Sequence, residues 1–155
     1  MSIWSEAFGH CRNKSKLKAL LLNDINLQKY KNKTFEEIFT DISTLCETRT
    51  GLGSLTIYDI TATICRYYKI NIDKVYIIGN GPKNAVKILG LKTKKHNTLS
   101  LNYVEIDDII QAFAKNSYSI DSEILLSKNG DDFESYICKW QKPFNDIFYV
   151  PLNTV

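Results

Sequence analysis

Apolar residues recur at helical spacing along most of this chain, and two Gly-x-Gly turns interrupt them. That combination limits the available folds more than any other feature. The clearest stretch is Phe35, Ile38, Phe39, Ile42, Leu45 and Cys46, which predicts a helix with one inward face. Thr34-Phe35-Glu36-Glu37 opens it as a capping box, in which hydroxyl and carboxylate satisfy each other's end-of-helix amides. Gly51-Leu52-Gly53 then makes a tight turn, and Ile57, Ile60, Ile64 and Tyr67 resume the spacing to about Lys69. A second turn, Gly79-Asn80-Gly81-Pro82, precedes a helix carrying Ala85, Val86, Ile88 and Leu89. Pro82 suits its first position, where a missing amide costs nothing, and Gly90 ends it.

Weaker signals fill the remainder. Arg12–Leu22 reads as a short basic helix with Leu17, Leu20 and Leu21 turned inward. Val75-Tyr76-Ile77-Ile78 is β-like in composition, yet its flanks suit a helical turn equally well. Lys92–Thr98 reads as a basic loop. Ile106, Ile109, Ile110 and Phe113 predict another helix, and Phe133, Tyr136, Ile137 and Trp140 repeat that spacing. Ile147–Leu152 is expected to run extended along the surface. The expectation is an all-α bundle of six or seven helices, compact, with residues 1–155 forming a single domain.

Composition excludes several classes. With 44% apolar, 24% charged and 12% aromatic residues, the chain can form a real core and is not disordered. No apolar run approaches the ~20 residues of a membrane helix, and Met1–Lys18 lacks a signal-peptide stretch, so a cytoplasmic location with no membrane partner is expected. Cys11, Cys46, Cys65 and Cys138 are scattered, with neither a Cys-x-x-Cys pair nor a histidine at ligand spacing. Neither a metal site nor a cofactor is expected; the thiols read as reduced and mostly buried. His10 and His96 read as surface residues beside basic segments, since nothing local pairs either with a nucleophile.

The net charge of +3 conceals an asymmetry. Met1–Tyr103 carries sixteen Lys or Arg against eight acids, whereas Val104–Val155 carries four against nine. From Lys74 to Tyr103 there are six lysines (Lys74, Lys83, Lys87, Lys92, Lys94 and Lys95) and no acid. Such a block is either a solvated face or a surface for a polyanion.

Within this block, Ile78-Gly79-Asn80-Gly81-Pro82-Lys83-Asn84-Ala85 resembles the hairpin of helix-hairpin-helix DNA-binding proteins. That pattern is an apolar residue, Gly-x-Gly, often Pro-Lys, and a small residue where two helices pack. Independent physics points the same way. Glycines let a phosphate approach the backbone, and the N–H groups opening a helix attract an anion. Gly51-Leu52-Gly53 is a partial echo, so Leu45–Leu91 reads as a candidate tandem of two such motifs. The chain also resembles uncharacterised bacterial proteins at Tyr58-Asp59 and Val75-Tyr76, a likeness that implies no activity. Gly79-Asn80-Gly81 lacks the third glycine and long strand of a dinucleotide fold, and a P-loop Gly-Lys-Ser/Thr is missing.

The resemblance implies a nucleic-acid partner, expected to be DNA, held by its phosphates and largely without regard to sequence. Expected contacts are Gly51, Gly53, Gly79, Gly81, Lys83, Lys87, Lys92, Lys94 and Lys95. Tyr67 and Tyr68 are either base-stacking platforms or core and rim residues. The same resemblance implies an enzymatic alternative, because bifunctional DNA glycosylases of the family carry a catalytic lysine at the position of Lys83. There it would form a Schiff base with the sugar of a flipped nucleotide. The accompanying aspartate would be Asp107, with Asp108 and Glu105 as neighbours, although acids also favour helix starts for the dipole alone. A third alternative is a protein-interaction or regulatory domain in which Asp131, Asp132 and Glu134, near Trp140, dock a basic partner.

Overall fold

The computed structural model describes residues 2–47 and 51–147. Contacts along the chain divide it into two compact units, Met1–Ile72 and Asp73–Val155. Among its described residues the first contains helices and turns and no strand. After a 3-10 turn at Ser2–Trp4 come α1 (Ser5–His10) and α2 (Lys14–Ala19), the latter running on as a π turn over Leu20–Asp24. A second 3-10 turn, Leu27–Tyr30, leads to α3 (Phe35–Cys46) and then α4 (Ser54–Tyr68).

The capping box at Thr34 forms as its residues require: Glu37 N–H donates to Thr34 Oγ1 at 3.1 Å, and Thr34 N–H donates to Glu37 Oε1 at 3.0 Å. Phe35, Ile38, Phe39, Ile42 and Cys46 are buried, as the spacing predicts. Helix α4 buries nine of the ten successive positions 56–65, Thr56 and Tyr58–Cys65. Its hydroxyls are satisfied within the helix: Thr61 Oγ1 donates to Ile57 O at 2.8 Å, and Thr63 Oγ1 to Asp59 O at 2.7 Å. Lys69 ends the helix in the left-handed conformation, φ 55°.

The second unit corrects the all-α expectation. Here β1 (Lys74–Tyr76) and β2 (Lys94–Lys95) both pair with β3 (Asn102–Glu105), antiparallel, in the order β1-β3-β2. Val75 lies opposite Val104 in this small sheet, and both are buried. The helices α5 (Asn80–Ile88), α6 (Ile106–Lys115), α7 (Ser122–Ser127), α8 (Gly130–Trp140) and α9 (Lys142–Ile147) complete the unit. Its core joins Val75 and Val104 to Ala85, Val86, Ile109, Phe113, Phe133 and Ile137. The β-like composition of Val75-Tyr76 therefore prevails over the helical alternative. The basic loop Lys92–Thr98 contains a strand of two residues, a length at which no period-2 pattern can appear.

Smaller corrections follow. Pro82 sits two residues deeper than its expected first position, because α5 begins at Asn80, but it remains in the first turn where its amide is not needed. The expected extended segment falls mainly on residues 148–152, outside the described residues, and Ile147 closes α9. No described helix is long and apolar enough to cross a membrane.

Candidate nucleic-acid interface

The Gly79–Lys83 segment follows a strand, so it is a strand-to-helix corner rather than a turn between two helices. Gly79 occupies the N-cap of α5 in extended backbone, and no side chain caps that end. Lys83 N–H is the first to find a carbonyl, Gly79 O at 3.2 Å. The N–H groups of Asn80 and Gly81 have no hydrogen-bond partner among the described residues.

Gly81 has a packing reason to be glycine. A Cβ at this position would run into Cys138 Sγ on α8. One residue turn further, Asn84 Nδ2 donates to Gln141 Oε1 at 2.5 Å. Ala85 is fully buried on the same inward side. The small residues of the motif thus let α5 and α8 approach closely, while Lys83 and Lys87, four apart, stand exposed on the outer face.

The six-lysine block divides five to one. Lys74 is partly buried, lies 3.8 Å from both Asp73 and Glu105, and stands over the Tyr103 ring at 5.2 Å. Lys83, Lys87, Lys92, Lys94 and Lys95 are exposed and make no ion pair among the described residues. His96 accepts hydrogen bonds at Nδ1 from the amides of Thr98, at 3.2 Å, and Leu99, at 3.1 Å, which folds the turn between β2 and β3.

The fainter echo is the turn that joins two helices. Gly51-Leu52-Gly53 lies between α3 and α4, with Leu52 buried and Gly51 at φ +92°, a conformation that favours glycine. Gly53 is the N-cap of α4, no side chain caps it, and a Cβ there would meet nothing within 4 Å. The first bonded amide of α4 is that of Ile57, to Gly53 O at 3.0 Å. A Cβ at Gly51 would approach Asn13 Cβ to 3.2 Å, so the basic stretch around Arg12, Lys14 and Lys16 lies beside this turn. Tyr68 is tied down through its hydroxyl to Leu27 O at 3.1 Å, whereas Tyr67 is 56% exposed.

The residues of the enzymatic alternative lie on different elements, Lys83 in α5 and Asp107 in α6. Lys83 is exposed on α5. Asp107 lines a cleft with Asp73, Glu105, Ile106, Ile110 and Lys128, and Lys83 is not among its walls. Asp108 is engaged at the start of α6, where it accepts from Glu105 N–H at 3.1 Å. Asp131 is buried at the start of α8, and Asn129 Oδ1 caps that helix through the amides of Asp131 and Asp132.

One pair has no counterpart in the sequence reading. His10 Nδ1 lies 2.7 Å from Asp59 Oδ2, joining α1 to α4, and Glu6 Oε2 lies 2.7 Å from Arg66 Nη2 beside it. Burial pushes the Asp59 carboxyl up to about 6, against the opposing pull of the His10 hydrogen bond and charge. The available signal was a carboxylate on the apolar face of α4, between Tyr58 and Ile60. The four cysteines are free thiols, and Cys11, Cys46 and Cys65 are buried. No three His, Cys, Asp or Glu side chains among the described residues are grouped to hold a metal ion. No family model, curated protein or solved structure matches this chain.

Proposed function

We propose that the protein holds the phosphate backbone of nucleic acid, expected to be DNA, with little regard to base sequence. The carrying observation is the run Lys83–Lys95, in which five exposed ammonium groups have no carboxylate partner among the described residues. Like charges concentrated this way repel one another and are relieved by a polyanion. The uncapped start of α5 adds amide donors beside Lys83. Within the first unit, the open space at Gly53 and the basic stretch beside Gly51 make the α3–α4 turn a second phosphate contact. Phosphate contacts position a protein without reading bases, which accounts for the absence of any need for a base-reading helix.

The test is fluorescence anisotropy of a labelled duplex across a salt series. Five lysine–phosphate contacts give a slope of log K against log salt of about −4 to −5. Lys83→Glu with Lys87→Glu should abolish the measurable complex, and any residual binding should show a slope shallower by about two. Circular dichroism should be unchanged, because both side chains are exposed. Undiminished binding by the double variant would place the interface elsewhere.

A further inference from the structure

We infer that the cleft between α7 and α8 receives the arginine or lysine side chain of a basic peptide. The cleft has a volume of about 490 Å³, and its walls include Asp121, Ile124, Asp132, Tyr136 and Trp140. The two aromatic walls are held rigidly. Trp140 packs on Phe113 with ring centroids 4.8 Å apart and on Tyr118 at 5.2 Å. Tyr136 packs on Phe113 at 6.3 Å and donates its hydroxyl hydrogen to Ser119 O at 3.2 Å. Such ring faces attract a cation placed within about 6 Å of their centroids.

The two carboxylates set the sign of the occupant. Asp121 precedes α7 without capping it through its side chain. Asp132 engages Asn129 only through its amide. Neither carboxylate has a partner among the described residues. The cleft therefore places two unpaired carboxylates beside two aromatic side chains, Tyr136 and Trp140, a combination complementary to a guanidinium or ammonium group on an apolar stem.

A third observation indicates a peptide rather than a free ion. Of the three successive apolar residues of α7, Ile124 and Leu125 pack partly against the core, whereas Leu126 is 80% exposed. The exposed Leu126 next to the cleft suits a chain that alternates basic and apolar side chains. Lys139 at the rim is a like charge that restrains binding of such a ligand. This inference is independent of the nucleic-acid reading, which concerns α5 and β2.

Trp4→Phe leaves Trp140 as the sole tryptophan, so its fluorescence reports on the cleft. Acetyl-tetraarginine-amide is titrated into that variant, with acetyl-tetracitrulline-amide as the uncharged control. A saturable change is expected with arginine and none with citrulline. Asp121→Asn with Asp132→Asn should weaken binding roughly ten-fold, and Lys139→Glu should strengthen it several-fold. Absence of a saturable change, an equal response to citrulline, or indifference to both sets of substitutions would overturn the proposal. So would sedimentation velocity showing that the chain self-associates through the two aspartates, because the occupant would then be a second copy. Retained duplex binding by the Asp121→Asn, Asp132→Asn variant would show that failure here leaves the nucleic-acid reading standing.

Discussion

The buried carboxylate of Asp59 gives a prediction whose size follows from its surroundings. In an unfolded chain an aspartate titrates near 3.8, whereas burial lifts Asp59 to about 6. The folded chain therefore holds this proton more tightly than the unfolded one. The stabilisation is fully present below about pH 4 and is lost as pH rises through about 6. Two pH units of displacement correspond to about 3 kcal/mol, reached once Asp59 is ionised in both states. Asp59→Asn preserves the shape and an oxygen facing His10 but cannot ionise. The unfolding free energy of the variant minus that of the wild type should therefore rise by up to about 3 kcal/mol between pH 4 and pH 7. Taking this difference cancels the opposing contribution of other carboxylates. Asp41, for example, is pushed up by burial, yet its hydrogen bonds from Tyr30 and Lys29 hold it below the usual range. Urea unfolding followed through Trp4, which is buried in the same unit, supplies the measurement. His10→Ala removes a hydrogen bond that holds the Asp59 carboxyl down, so its transition should move above pH 6. A difference that stays constant with pH would refute the argument.

Two other predictions concern the glycine motif. Gly81→Ala should destabilise the chain by about 1–3 kcal/mol through overpacking against Cys138, as read by denaturant unfolding. In a Cys138→Ala background most of that cost should disappear, because the remaining Cys138 Cβ lies 3.5 Å from the added methyl, an ordinary contact. Borohydride trapping on DNA containing an abasic site should give no covalent adduct, since Lys83 stands exposed, whereas an amine activated for Schiff-base formation is desolvated in a pocket. A trapped adduct lost in Lys83→Gln would restore the lyase alternative.

Features determined by neighbouring residues were legible in the sequence. The α3 start is decided by Thr34 and Glu37, three residues apart, and its buried face by a regular apolar spacing. The exposure of Lys83 and Lys87 follows from their place opposite the inward-facing Ala85 on α5. Features determined by distant partners were not legible. A three-residue strand at Lys74–Tyr76 becomes a strand only by pairing with Asn102–Glu105. Gly81 and Asn84 carry no sign that Cys138 and Gln141 on α8 will lie against them. His10 and Asp59 meet across forty-nine positions. The turn with the richer glycine-proline-lysine string proved to follow a strand, and the plainer one to join two helices. The strings differ in side chains, whereas what precedes a turn is settled by packing.

The order β1-β3-β2 leaves β2 on the rim of its sheet, with Lys94 and Lys95 as its entire length. A rim strand exposes backbone groups that invite a foreign strand to add on, and adjacent lysines deter that event by repulsion. The ammonium groups thus guard against fibrillar stacking, apart from any ligand they hold. Swapping them for neutral residues to abolish a ligand would also remove that guard, so loss of solubility and loss of affinity would travel together at this edge.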